Sequence, residues 1–252
     1  MTTTIAVAGK GGVGKTSISA LVIQLLSQKG VVLAIDADPA TNLNQALGVS
    51  EGETVGRIRE EMSEAVKMGT LSPAVSKQEY LDGKVMAALE EYKGFDLLAM
   101  GRPEGPGCYC AANNMLRVSI DKIGHRYDYV VIDSEAGMEH ISRQTTRDVD
   151  VLFIISDLTQ RGINTAASMK GLIGEMRTTV GKICLVINKV PGNELPPEIK
   201  KLVDGHGFEL VATIPQDSGL AELEIKGLPT IELSPDSPLR NGVKDLLTKV
   251  GL

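Results

Sequence analysis

Along the chain, short apolar runs rich in Val, Ile and Leu alternate with longer segments in which apolar residues return every three or four positions. The short runs are TIAVAG, VVLAID, DLLAMG, YDYVVID, DVLFIIS, KICLVIN and ELVATIP. Each is nearly continuous in hydrophobicity and so predicts a strand buried on both faces. The spacers predict helices; in the first, Ile18, Leu21, Val22, Leu25 and Leu26 fall on one side of a helical repeat. Alternation of this kind predicts a doubly wound α/β fold, a mostly parallel sheet with helices on both faces. Residues 51 to about 93 carry an acidic, methionine-containing, helical pattern, read as an elaboration between the second and third strands of a single domain spanning 1–252. Its methionines predict packing, not ligation. In the last segment Val243, Leu246, Leu247 and Val250 share a helical face that lacks the aromatics and dense basic side of a membrane-surface helix. That face predicts packing onto the domain.

Composition narrows the function classes. A chain of 252 residues, 42% of them hydrophobic, has enough apolar material for a large core. A net charge of −6 and a pI near 5.2 argue against a broad nucleic-acid or anionic-membrane footprint. Neither a signal-peptide pattern nor a membrane-length apolar run is present in the sequence, so the expected location is the cytoplasm. Three cysteines do not make a disulfide framework, and Cys108 and Cys110, one residue apart in GPGCYC, point to metal binding or redox chemistry.

The strongest chemical pattern is GKGGVGKT, Gly9 to Thr16, which fits G-x-x-x-x-G-K-[ST] between a predicted strand and a predicted helix. The expected phosphate cradle comprises Gly11, Gly12, Val13, Gly14, Lys15, Thr16 and Ser17. Its N–H groups and the helix N-terminus favour anions. Lys15 is expected at the β and γ phosphates and the Thr16 hydroxyl at Mg²⁺. AIDADPATNLN ends a strand with Asp36 and Asp38, and carboxylates at strand C-termini face the crevice where α/β folds bind ligands. YDYVVID ends in Asp133, a Mg²⁺ partner through water. Glu135 and Gly137 follow in a segment with the glycine freedom of a nucleotide switch. INKVPG places Asn188 and Lys189 in the frame of the guanine-reading N-K-x-D pattern but puts Pro191 where the Asp would be, so adenine is expected.

The second lysine of the phosphate motif, Lys10, marks a subgroup. With it, the chain resembles the deviant Walker A ATPases, which include the MinD and ParA proteins and the nitrogenase iron protein. The resemblance implies a homodimer in which Lys10 reaches the partner's nucleotide and hydrolysis follows ATP-driven closure. It also implies that Asp38 positions the attacking water in switch I, that EAGMEHISR is switch II, and that Asn188 and the IPQDS loop, with Pro215 and Asp217, lie beside the base.

The thiol pair follows the breaker cluster Gly105-Pro106-Gly107 and precedes a helical pattern at Leu116, Ile120 and Ile123. A loop-to-helix entrance can present residues i and i+2 on one side, and a helix N-terminus favours thiolate. Two thiols do not complete a tetrahedral Ni²⁺ or Zn²⁺ site, but two pairs on a dimer axis do. Cys184 sits within KICLVIN and is expected in the core. MGRPEGPGCYCAANNMLR, DSEAGMEHISR and SDLTQRGINTA together resemble the nickel-insertion ATPases of carbon monoxide dehydrogenase, the CooC family, across essentially the whole chain. This implies an ATPase with ATP/ADP, Mg²⁺ and a dimer-bridging Ni²⁺ or Zn²⁺, serving apo carbon monoxide dehydrogenase or, in a close relative, acetyl-CoA synthase. Neither a nucleic-acid nor a membrane partner is expected. Competing readings are a redox C-x-C pair, a septum or chromosome positioning ATPase, and an iron-protein-like electron-transfer ATPase. His125, His140 and His206 are single and scattered; His140, near switch II, could approach the site, but a surface or supporting position is the expected one.

Overall fold

The computed structural model describes residues 1–50, 52–70, 75–102, 110–134, 148–173, 179–192 and 194–252, with the backbone alone for 110–114. The elements are β1 (Thr3–Gly9), α1 (Lys15–Leu26), β2 (Val32–Asp36), α2 (Leu43–Leu47), α3 (Val55–Met68), α4 (Lys77–Ala87), β3 (Glu90–Tyr92), β4 (Phe95–Ala99) and α5 (Cys110–Gly124). They continue as β5 (Tyr129–Asp133), β6 (Asp148–Ser156), α6 (Gln160–Ile173), β7 (Thr179–Val190), α7 (Pro197–Gly205), β8 (Leu210–Pro215), α8 (Ser218–Lys226) and α9 (Pro238–Val250). Every apolar run expected to be a strand is one.

Among the described residues the strands form one eight-stranded sheet in the order β3-β4-β2-β5-β1-β6-β7-β8. Its neighbours pair in parallel except β3 and β4. Helices cover both faces, which is why the central strands read as unbroken apolar runs. Along β1, Ile5 and Val7 belong to the core shared with α1, α2 and α9, while Ala6 and Ala8 belong to the core shared with α3 to α7. The fold is doubly wound α/β, as the periodicity predicts.

The region from 51 to 93 differs from its helical reading at one end. It supplies α3 and α4, but Glu90–Tyr92 forms β3, antiparallel to β4. Nothing in Glu-Glu-Tyr carries a strand's apolar signal; pairing of Tyr92 with Phe95 and stacking of their rings at 5.4 Å hold it in place. Charged side chains on this outermost strand also discourage edge-to-edge association. α4 starts at a capping box in which Ser76 and Glu79 satisfy each other's backbone N–H.

The turns at the C-terminal ends of β1, β2, β5 and β7 gather on one edge of the sheet. β1 lies where the chain order reverses, with β5 and β2 on one side and β6, β7 and β8 on the other. Open α/β sheets bind ligands at such a switch point.

Candidate functional site

The phosphate loop leaves β1 at Gly9, packed so closely on β6 that a Cβ there would sit 2.3 Å from the Ile155 carbonyl oxygen. It enters α1 through Gly14, whose φ of 92° lies in the left-handed region and whose Cβ would sit 2.6 Å from the Asn188 amide nitrogen. Val13 is buried and anchors the loop in the core. Lys15, the first residue of α1, is 8% exposed and donates from Nζ to the Lys10 carbonyl at 3.3 Å. Its ammonium is thereby held over the loop, where a phosphate oxygen can replace the carbonyl.

A cavity of about 550 Å³ opens above this loop. Gly11, Gly12, Gly14, Lys15, Thr16 and Ser17 form its floor, Asp38 and Asn42 one wall, and Lys189 and Glu224 reach it from β7 and α8. Asn42 and Glu224 were not singled out by sequence. Asn42 stands before α2 in the N-cap position yet makes no side-chain cap bond, a departure visible only in three dimensions. Glu224 lies on a helix remote in sequence from the motif, with no local signal.

The loop after β2 is clasped by Asp36. One Asp36 oxygen accepts from Asp38 N at 3.1 Å and the other from Leu43 N at 2.9 Å, so the two ends of the intervening loop are tied to one buried carboxylate. Asp38, half-buried, accepts from Ala40 N at 2.9 Å, an Asx turn that sets its orientation. Asp36 and Asp133 are register partners on β2 and β5 and are each 1% exposed. Burial, reinforced by repulsion from Asp133 and Asp38, pushes Asp36 up to about 7. Burial likewise pushes Asp133 up to about 6, opposed by donors from Thr16 and Ser19 and by the charge of Lys15. Of the three carboxylates, Asp38 lines the cavity, and Asp36 and Asp133 are buried. Hard oxygen donors from Asp133 and the Thr16 hydroxyl fit Mg²⁺.

Asn188 is 4% exposed; its Nδ2 donates to the Val13 carbonyl at 2.8 Å and its Oδ1 accepts from Lys189 N at 2.9 Å. Lys189 adopts a left-handed backbone, φ 59°, and its Nζ donates to the Gly12 carbonyl at 3.2 Å. Both residues therefore brace the phosphate loop. Pro215 ends β8 opposite Val190. The Asp217 carboxylate caps α8 through Gly219 N and also accepts from the Ser237 hydroxyl and Leu239 N, so its oxygens serve the α8 and α9 termini. Burial of Cys184 at 0% exposure agrees with its expected core role. Cys108, Glu135, Gly137 and His140 lie outside the described residues, and Cys110 is the first residue of α5. Among the described residues, no group of three or more His, Cys, Asp or Glu is arranged to hold a metal, and no helix is long and apolar enough to cross a membrane.

Residues 4–231 match the CobQ/CobB/MinD/ParA nucleotide binding domain. An uncharacterized ATP-binding protein of Methanocaldococcus jannaschii is 42% identical over 98% of this chain and 97% of its own. The carbon monoxide dehydrogenase accessory protein CooC of Rhodospirillum rubrum is 34% identical over 92% of this chain and 90% of its own. In fold, the septum site-determining protein MinD of Pyrococcus horikoshii, solved with Mg-ADP, superimposes with a TM-score of 0.69 at 19% identity, covering 100% of this chain and 96% of that one.

Proposed function

Because the chain belongs to the CobQ/CobB/MinD/ParA family of nucleotide-binding P-loop ATPases, we propose that it is a homodimeric ATPase that assists nickel insertion into the Ni–Fe–S site of carbon monoxide dehydrogenase. The observation that supports this reading is the hydrogen bond between the end of β4 and the Asp36 strand. β4 runs parallel to β2, and Met100, just beyond it, donates from N to the Asp36 carbonyl at 2.8 Å. Met100, which precedes Cys108 in sequence, is thus bonded to the residue whose carboxylate clasps the Asp38 loop, and α5 begins at Cys110. Similarity to the Rhodospirillum rubrum accessory protein supports the same client; acetyl-CoA synthase is the alternative.

In this proposal ATP phosphates accept from the N–H groups of Gly11 to Ser17, and Lys15 exchanges the Lys10 carbonyl for phosphate oxygen. The Thr16 hydroxyl and, through water, Asp133 would hold Mg²⁺, which would offset phosphate charge. Asp38 orients the attacking water, and Lys10 reaches the nucleotide of the second copy. ATP-driven closure brings Cys108 and Cys110 of each chain together, so that four thiolates take Ni²⁺ or Zn²⁺ as cargo. Glu135 and Gly137 act in the switch that senses the γ phosphate. Pro215, Asp217 and Asn188 frame the base end of the site.

Coupling requires that ATP and metal change one another's binding or the dimer equilibrium. Dimerisation and Ni²⁺ stoichiometry, measured with ATP, with ADP and without nucleotide, are expected to differ, with one metal per ATP-bound dimer. Equal values in all three states would sink the coupling. Ni²⁺ activation of apo carbon monoxide dehydrogenase and apo acetyl-CoA synthase, each with and without the protein and ATP, identifies the client.

A further inference from the structure

Resting on the nucleotide-site reading above, we infer that Ser19 is a positioning residue for the magnesium–nucleotide site, holding the Asp133 carboxylate in one orientation.

Ser19 is a hydroxyl in an apolar place. The buried side of α1 is built from Ile18, Ala20, Leu21, Val22, Ile23 and Leu26, and Ser19 stands among them at 0% exposure. A buried hydroxyl costs stability unless it is hydrogen-bonded, and alanine, the better helix former, would suit the packing. Ser19 has one partner of consequence: its Oγ donates to Asp133 Oδ1 at 2.8 Å, across 114 residues of sequence. Asp133 is itself 1% exposed at the end of β5.

Thr16 and Ser19 are three residues apart and share a helix face. Both hydroxyls act on Asp133, but they are not equivalent: Ser19 donates to Oδ1 at 2.8 Å, whereas Thr16 helps to hold the carboxyl's pKa down. Thr16 lines the nucleotide cavity, whereas Ser19 does not and is sealed from solvent. A ligand in the cavity can draw the Thr16 hydroxyl away; the Ser19 hydroxyl stays on Asp133. Ser19 therefore holds Oδ1 through both conditions of the site and leaves Oδ2 as the oxygen it does not occupy. Donors that orient a carboxylate near a metal typically change metal affinity by roughly 10–100-fold when removed.

The full-length protein tests this by calorimetric titration of ADP at graded Mg²⁺ and in excess chelator. Ser19→Ala is expected to raise the Mg²⁺ concentration for half-maximal ADP binding by about tenfold, at the lower end of that range. ADP affinity in chelator should be unchanged. Ser19→Thr should restore the wild-type Mg²⁺ dependence, and Ser19→Cys, a weaker donor that still folds if alanine does not, should lie between. An unchanged Mg²⁺ requirement in Ser19→Ala, or in Ser19→Cys should alanine fail to fold, overturns the inference. So does an equal loss of ADP affinity with and without Mg²⁺. Failure of the wild-type protein to bind ADP at all overturns the nucleotide reading itself, and this inference with it.

Discussion

Asp36 does two jobs with one side chain: it ties down the loop that carries Asp38 and it adds negative charge beside Asp133. Asparagine has a single acceptor oxygen, so Asp36→Asn strands either Asp38 N or Leu43 N, at a cost of about 1–3 kcal/mol. The substitution is expected to slow hydrolysis more than it weakens nucleotide binding, measured by steady-state turnover against equilibrium titration. It also carries a pH signature. The folded Asp36 titrates at about 7, above its ordinary value of 3.8. A carboxyl with a raised folded pKa binds its proton more tightly when folded, so its stabilising contribution is present at low pH and lost as pH rises between those values. Thermal unfolding of the nucleotide-free protein at a series of pH values should therefore show a steeper loss over that window in wild type than in Asp36→Asn. Identical slopes refute the assignment. Asn188 and Lys189 are committed to the phosphate loop, so in the proposed ATPase Pro191 is the position that withholds a guanine acceptor. Pro191→Asp is expected to shift the GTP-to-ATP affinity ratio toward GTP by about tenfold, the gain of roughly one charge-assisted hydrogen bond.

Among the elements, α9 illustrates a pattern resolved by its partners. Its Leu239, Val243, Leu246, Leu247 and Val250 are buried, and they join the core under α1 and β8 rather than presenting an apolar side to solvent. Ser237 accepts from Arg240 N at the start of α9 and donates to Asp217, the cap of α8, so one small polar knot orients two helices. Leu246→Ala should cost about 2–5 kcal/mol in denaturant unfolding, because a packed leucine leaves a cavity behind. β3 shows the opposite relation. Its residues have no strand signal of their own, and the strand exists because the turn before Phe95 delivers Tyr92 to a partner already in the sheet.

For the whole molecule, the proposal makes each chain half of a metal site and half of an ATPase. Cys108→Ala or Cys110→Ala should abolish the shared metal while leaving ATP affinity intact, and Lys15→Ala should weaken nucleotide binding first. Metal analysis and nucleotide titration of the purified variants distinguish these effects; metal retained at one per dimer in either cysteine variant refutes the shared site. The strands, the faces they bury and the phosphate loop were legible in the linear sequence because each depends on local order. Apolar residues in unbroken runs must be covered on both sides, and the glycines before Lys15 permit the left-handed backbone through which the loop enters α1. The clasp of Asp36, the bracing of the loop by Asn188 and Lys189, the Ser19 donor to Asp133, and the entry of Asn42 and Glu224 into the cavity were not legible. Each joins groups whose meeting depends on strand register, helix rotation or the path of a loop, and hydrophobic periodicity leaves those quantities open. The chain's order thus determined which residues could serve a phosphate ligand, while tertiary packing decided which of them hold one another in position to do so.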